Sequence, residues 1–107
     1  MKDMTIGEML EMQKKLHERY TNWPALIPEN GKDSLLWAYG EMAEVGDILK
    51  KIGYRAVMEQ PEVRHDFVEE LCDVLMYLGD LMVSFDITPE EVDSLYKAKF
   101  KRNMERW

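Results

Sequence analysis

The 107-residue sequence has few of the features that mark exported or membrane-bound proteins. Its single cysteine cannot form an internal disulfide, which is typical of a protein from a reducing compartment. Its first residues contain no apolar stretch of the signal-peptide type. No apolar run approaches the roughly 18 residues that a transmembrane helix requires. We therefore expect a cytoplasmic protein without a membrane partner, and at this length one domain over residues 1–107.

Positive charge is also scarce, apart from the end of the chain. The net charge is −7, and because residues 97–107 carry +4, the first 96 residues carry −11. Contacts from Lys and Arg to phosphates supply most of the affinity of proteins for nucleic acids, so this acidic body argues against a nucleic-acid polymer as partner. The basic residues at the end could simply complement the dipole of a C-terminal helix.

The chain has no convincing strand pattern, and its apolar residues recur at helical spacing. This predicts an all-α fold, a bundle of four helices, with the connector at 54–62 containing at most a short helical turn. Two segments have the composition of a capping box, in which a Thr and a Glu three residues later satisfy the first turn of a helix. The predicted helix starts are Thr5, Asp33 or Ser34, Pro61, and Thr88 followed by Pro89.

Two pairs of acids stand next to apolar stripes on consecutive predicted helices. Glu41 and Glu44 form one pair and Glu70 and Asp73 the other, with 25 residues between the pairs. Because residues three apart lie on one face of a helix, each pair directs two carboxylates the same way. From Leu71 to Gly79 the only charged residue is Asp73, so we do not expect that side chain to be fully solvated.

If the two pairs converge, their repulsion requires compensation. Two unit charges 4 Å apart repel by roughly 4 kcal/mol at an effective dielectric constant of 20, and a whole domain is stable by only about 5–15 kcal/mol. The acids must then be protonated, paired with basic groups, or bound to cations. A set of oxygen ligands favours Mg²⁺, with Mn²⁺ as a substitute, and Mg²⁺ usually shares its ligand shell with water and substrate phosphates. This interpretation points to phosphate chemistry.

Other interpretations of these residues remain open from the pattern alone. One acid pair on a helix is usually a solvated face. The segment from Glu62 to His65 is a Glu-x-x-His, but a di-iron bundle needs two such motifs. Gln13 lies on the apolar stripe of the first helix, where it either reaches harmlessly to solvent or lines a polar pocket. Trp23, in the following loop, is either a lid or a plug on the core.

The spacing Glu41-x-x-Glu44 … Glu70-x-x-Asp73 resembles the signature of the MazG-like all-α nucleotide pyrophosphohydrolases. The similarity extends from about Leu35 to Trp107 and includes Lys99-x-x-x-Asn103-x-x-Arg106 near the end. One departure is Gly40, where many members have a further Glu. The resemblance implies Mg²⁺-dependent hydrolysis of a nucleoside triphosphate to its monophosphate and pyrophosphate, in a MazG-like four-helix bundle completed by a homodimer or tetramer.

The resemblance also implies a role for individual side chains. Glu41, Glu44, Glu70 and Asp73 are expected to ligate Mg²⁺, and Glu41 is the first choice for orienting or deprotonating the attacking water. The expected phosphate ligands are Lys51, Lys99, Asn103 and Arg106. The expected contacts to the base are Gln13, Trp23 and Tyr77. The alternative function is an inactive helical interaction or regulatory module of the same fold.

Overall fold

The computed structural model describes residues 2–106, and every regular element in this range is helical. The all-α prediction is confirmed, but the number of helices is five rather than four, because residues of the 54–62 connector form a short helix of their own. A 3₁₀ turn, Pro28–Asn30, precedes the second helix, and a π-helical segment, Ile48–Ile52, extends it. The helices are α1 (Ile6–Arg19), α2 (Gly31–Asp47), α3 (Tyr54–Glu59), α4 (Pro61–Ser84) and α5 (Pro89–Arg106).

Both predicted capping boxes are present. The Glu8 amide donates to Thr5 Oγ1 at 3.0 Å, and the Thr5 amide donates to Glu8 Oε1 at 2.8 Å. The same reciprocal pair joins Thr88 and Glu91, at 3.1 and 3.0 Å. These bonds satisfy amides that the first turn of a helix leaves without partners. At the end of the α2 extension Gly53 has φ +103°, a conformation that glycine adopts without a steric penalty.

Helices α2 and α4 form the central pair of the fold. Along the pair Gly31 lies against Phe85, Trp37 against Tyr77 and Glu44 against Glu70, so the two helices run antiparallel. Helix α1 also packs on α4, and the two helices approach closely at Gly79. A Cβ atom at Gly79 would stand 3.3 Å from Gln13 Cγ, so the missing side chain lets the two helices meet there.

The apolar core within one chain is small. Among residues 2–106 the buried hydrophobic side chains are Leu10, Ala38 and Val57. The radius of gyration is 16.2 Å, compared with about 13 Å for an ordinary domain of this length. Helix α5 explains much of this difference, because it contacts the rest of the chain mainly near its start, where Pro89 lies beside Gly7. No helix within the described range is long and apolar enough to cross a membrane.

Candidate metal centre

Three of the four predicted acids converge between α2 and α4. Glu41, Glu44 and Glu70 each place a carboxylate oxygen within 4.8 Å of the others, and we call these three residues the acid cluster. The antiparallel pairing of the two helices produces this convergence, since it sets the Glu41–Glu44 face of α2 opposite the Glu70 face of α4. Glu41 and Glu70 are half-buried, whereas Glu44 is exposed.

Ionisation is unfavourable within the acid cluster. The pKa of Glu70 rises to about 7, first because its protonated form hydrogen-bonds to Glu44 and then to Glu41, with burial and the charges of both neighbours adding to the effect. The pKa of Glu41 is also raised, chiefly by burial and further by the charges of Glu44 and Asp73, although the hydrogen bond with Glu70 acts in the opposite direction. A proton or a cation held among these carboxylate oxygens would therefore stabilise the acid cluster.

The basic side chains of residues 2–105 do not supply that positive charge. The ion pairs within residues 2–106 do not involve any member of the acid cluster. Glu70 Oε2 is buried and accepts no hydrogen bond from the described residues. The repulsion between the carboxylates can therefore be relieved by a proton or by a bound cation. A donor set made only of carboxylate oxygens fits a hard cation such as Mg²⁺.

Asp73 lies beside the acid cluster rather than within it. It is half-buried, its charge acts on Glu41, and it shares a cavity of about 220 Å³ with that residue. A second cavity, of about 190 Å³, shares Trp23, Tyr77 and Asp80 with the first, and we call the two together the Tyr77 cavity. The side chains that line it are Gln13, Leu16, His17, Trp23, Pro24, Trp37, Glu41, Asp73, Met76, Tyr77 and Asp80.

The three side chains predicted to contact a base thus line one cavity next to the acids. Tyr77 packs against Trp37 with ring centroids 5.8 Å apart. Its pKa is raised, first by burial and then by the negative charges of Glu41, Asp80 and Asp73. Trp23 stacks on Tyr20 at 4.6 Å and is 42% exposed, so it covers the cavity as a partly solvated lid rather than as a plug in the core.

A buried polar network closes the end of the Tyr77 cavity. Asp80 is 5% exposed and accepts a hydrogen bond from Gln13 Nε2 at 2.8 Å. His17 Nε2 lies 3.4 Å from the other carboxylate oxygen of Asp80, and His17 Nδ1 lies 3.1 Å from the carbonyl oxygen of Pro24. The sequence patterns predict no role for Asp80, His17 or Trp37. Helical spacing could have identified two of them, because Asp80 lies seven residues after Asp73 and Trp37 lies four residues before Glu41, which places each on the same helix face as a predicted acid.

Among the predicted phosphate ligands, Lys51, Lys99 and Asn103 do not join the acid cluster. Lys51 pairs with Asp47 instead, with Nζ and Oδ2 3.7 Å apart, and is exposed. Lys99 and Asn103 line an open groove along α5, together with apolar residues of the same helix. Arg106 is the last described residue of α5. The Glu62–His65 motif also stands apart, because His65 contacts Asp66 and Glu69 at the surface.

Comparisons with known proteins add no further assignment. The chain matches no family model, no curated protein and no solved structure. The site is therefore interpreted from its own chemistry.

Proposed function

We propose that the chain is a Mg²⁺-dependent nucleoside triphosphate pyrophosphohydrolase of the MazG-like type. In this reaction water attacks the α-phosphorus, the bond from that phosphorus to the oxygen bridging the α- and β-phosphates breaks, and the products are a monophosphate and pyrophosphate. The observation that carries the proposal is the uncompensated acid cluster, which directly adjoins a cavity with aromatic walls. A cation site next to an aromatic cavity suits a ligand that has phosphates at one end and a planar ring at the other.

Each acid has a part in this proposal. Glu41, Glu44 and Glu70 would hold Mg²⁺, and Asp73 would complete the ligand set from the cavity side. When bound, Mg²⁺ would offset the charge of the phosphates and favour ionisation of the attacking water. The buried, unpaired Glu70 Oε2 supports this assignment, because a cation satisfies the oxygen without requiring a proton.

Glu41 is the best-placed candidate for the general base. It belongs to the acid cluster and also lines the Tyr77 cavity, so its carboxylate faces both the proposed metal and the proposed substrate. Burial and the neighbouring acids raise its pKa, which makes the carboxylate a stronger proton acceptor than a solvated one. In the proposed reaction Glu41 takes the proton of the attacking water.

The phosphate chain requires positive groups, and within residues 2–106 neither Lys51 nor Lys99 lies in the acid cluster. We propose that a second copy supplies them through α5, where Lys99 and Asn103 share a face and Arg106 follows three residues after Asn103. Cationic side chains of this kind stabilise charge that develops on a leaving pyrophosphate. Lys51 would add a further contact after exchanging its exposed pairing with Asp47 for one with phosphate.

The test is a panel of nucleoside triphosphates incubated with MgCl₂, with monophosphate, pyrophosphate and orthophosphate quantified separately. We expect pyrophosphate and monophosphate in equal amounts from the wild type. Glu70→Gln should lower kcat by at least about 10²-fold, the size of effect seen when one electrostatic contact to a transition state is lost. The matched control is Glu69→Gln, because Glu69 is the adjacent residue but is exposed and outside the cluster.

A helical interaction module is the second candidate function, and the large exposed apolar surface favours it. The two functions differ in their response to Mg²⁺. Binding at the acid cluster stabilises the folded state and raises the melting temperature of an enzyme of the proposed type. A melting temperature that Mg²⁺ leaves unchanged, together with no pyrophosphate from any nucleotide in the panel, would identify the interaction module.

A further inference from the structure

We infer that Gln13, oriented by Asp80, makes the Tyr77 cavity selective for a nucleobase that carries an exocyclic amino group, so that cytosine is preferred to uracil. This inference rests on the proposed nucleotide substrate and specifies which base it carries. It also gives a function to Asp80, a buried acid that the acid cluster does not use.

Asp80 determines which way the Gln13 amide points. A carboxylate accepts hydrogen bonds and an amide nitrogen donates them, so the 2.8 Å contact between Gln13 Nε2 and Asp80 Oδ1 fixes the amide in one of its two orientations. The Gln13 carbonyl oxygen, Oε1, is then on the other side of the amide. It has no hydrogen-bond partner among the described residues and is not sealed from solvent. Because Gln13 lines the Tyr77 cavity and is 5% exposed, Oε1 is an acceptor available to a ligand there.

The surrounding contacts prevent this orientation from reversing. His17 lies against the second oxygen of Asp80, and the Pro24 carbonyl lies against the opposite nitrogen of the His17 ring. Ser84 Oγ donates to the backbone carbonyl of Asp80 at 2.8 Å, which ties the residue to the last turn of α4. The carboxylate is therefore held from both sides, and it holds Gln13 in turn.

Beside Gln13, the cavity wall presents acceptors to a ligand. Gln13 Oε1 and the Asp80 carboxylate lie together there, whereas the rest of the wall combines the carboxylates of Glu41 and Asp73 with groups that donate, the Tyr77 hydroxyl and the indole N–H groups of Trp23 and Trp37. An exocyclic amino group offers two N–H donors to such a wall. In uracil a carbonyl oxygen replaces this amino group, and beside Gln13 Oε1 and the Asp80 carboxylate that oxygen would face acceptors without a hydrogen bond.

Cytosine and uracil nucleotides form a matched pair for the test, because they differ at this edge of the ring. With MgCl₂ present, we would measure kcat and KM for dCTP and dUTP, and the dissociation constants of dCMP and dUMP by calorimetry. We expect at least about a tenfold preference for the cytosine member in both measurements, since sites that hydrogen-bond a polar group discriminate strongly against analogues lacking it. The preference should lie in KM rather than in kcat.

Two substitutions separate orientation of Gln13 from a purely structural role. Gln13→Met keeps the length of the side chain but removes the acceptor, and should reduce the preference to less than about threefold. Asp80→Asn should retain the preference, because its amide oxygen can still accept from Gln13 while its nitrogen donates to His17. Asp80→Leu removes that acceptor and should lose the preference. Melting temperatures identify any variant that has not folded, and Gln13→Met alone decides the question if Asp80→Leu fails to fold.

The outcomes distinguish this inference from the proposed function. Equal hydrolysis and binding of the two pyrimidines by the wild type, or an unchanged preference in Gln13→Met, would overturn the inference and leave the enzyme assignment standing. Failure to bind or hydrolyse either pyrimidine nucleotide would overturn the inference, and the proposed function fails with it only if no other nucleotide in the panel yields pyrophosphate. A preference that Gln13→Met abolishes and Asp80→Asn retains supports the inference.

Discussion

At the scale of single residues, Glu70 is where the acid cluster most needs a positive partner. One of its oxygens is buried without a donor, and two other carboxylates lie within 4.8 Å. A proton satisfies these oxygens at low pH and a cation can satisfy them at neutral pH. Glu70 therefore links the proposed binding of a metal to a property of the metal-free protein that can be measured by itself.

That property is the dependence of stability on pH. The pKa of Glu70 is 4.5 in its ordinary state and about 7 in the fold. Between these values the folded protein holds more protons than the unfolded chain, so stability is greatest at the acidic end and falls as the pH rises. We expect the melting temperature in EDTA to decline between about pH 5 and 7.

Matched variants assign this decline to Glu70. Glu70→Gln cannot ionise and should flatten the decline, whereas Glu69→Gln, at an exposed neighbouring position, should retain it. Mg²⁺ at pH 7 should restore the lost stability in the wild type and in Glu69→Gln, but not in Glu70→Gln. A wild-type melting temperature that rises over the same window would contradict the electrostatics described for the cluster.

The sequence predicted this part of the site because spacing along a helix determines which side chains share a face. The i, i+3 spacing predicts that Glu41 shares a helix face with Glu44 and that Glu70 shares one with Asp73. The contacts of Asp80 could not be predicted in the same way. Its bonds to Gln13 and His17 join residues more than 60 positions apart, and only the packing of α1 on α4 at Gly79 brings them together.

At the scale of helices, local chemistry predicted the starts of α1, α4 and α5 correctly. Capping boxes and a proline in the first turn act within a few residues, so they can be recognised in the sequence. Helix α3 is too short for a helical repeat of apolar residues to be recognised in the sequence. It packs against α4, and this contact between distant parts of the fold could not be predicted from the sequence. The start of α2 also lies earlier than expected, because a 3₁₀ turn leads into it at Gly31.

Helix α5 gives the clearest prediction at this scale, because beyond its first turns its apolar face is exposed in the part of the chain that the structure describes. Leu95 is 69% exposed and Tyr96 73% exposed, and both line the groove that contains Lys99. We propose that a second copy covers this groove. Leu95→Glu should weaken association by at least about tenfold in the dissociation constant, since burying one leucine contributes about 1.5–3 kcal/mol.

Analytical ultracentrifugation over a range of concentrations measures this effect. Ser94→Glu introduces the same charge one residue away, on the opposite face of α5, and should associate like the wild type. A wild type that stays monomeric at micromolar concentrations, or two variants that dissociate equally, would contradict the proposed role of the groove. The helical circular dichroism of both variants should match that of the wild type.

At the scale of the whole molecule, the distribution of charge and the exposed apolar surface both favour association of two copies through α5. The first 96 residues carry −11 and the last eleven +4, so the end of α5 on one copy is electrostatically complementary to the acidic body of another. The small core and the large radius of gyration fit a chain whose exposed apolar faces a second copy would cover, as proposed for α5. Sequence periodicity predicted the amphipathic helices, but it does not specify which faces meet within a chain and which meet between chains.

The central claim is that the acid cluster directs water to the α-phosphorus of a nucleoside triphosphate. Hydrolysis in water enriched in ¹⁸O, with MgCl₂ present and the products analysed by mass spectrometry, tests it most directly. We predict one ¹⁸O atom in each nucleoside monophosphate and none in the pyrophosphate, in the wild type and in Glu69→Gln. Label in pyrophosphate or orthophosphate, or the same turnover in Glu70→Gln, would contradict the claim.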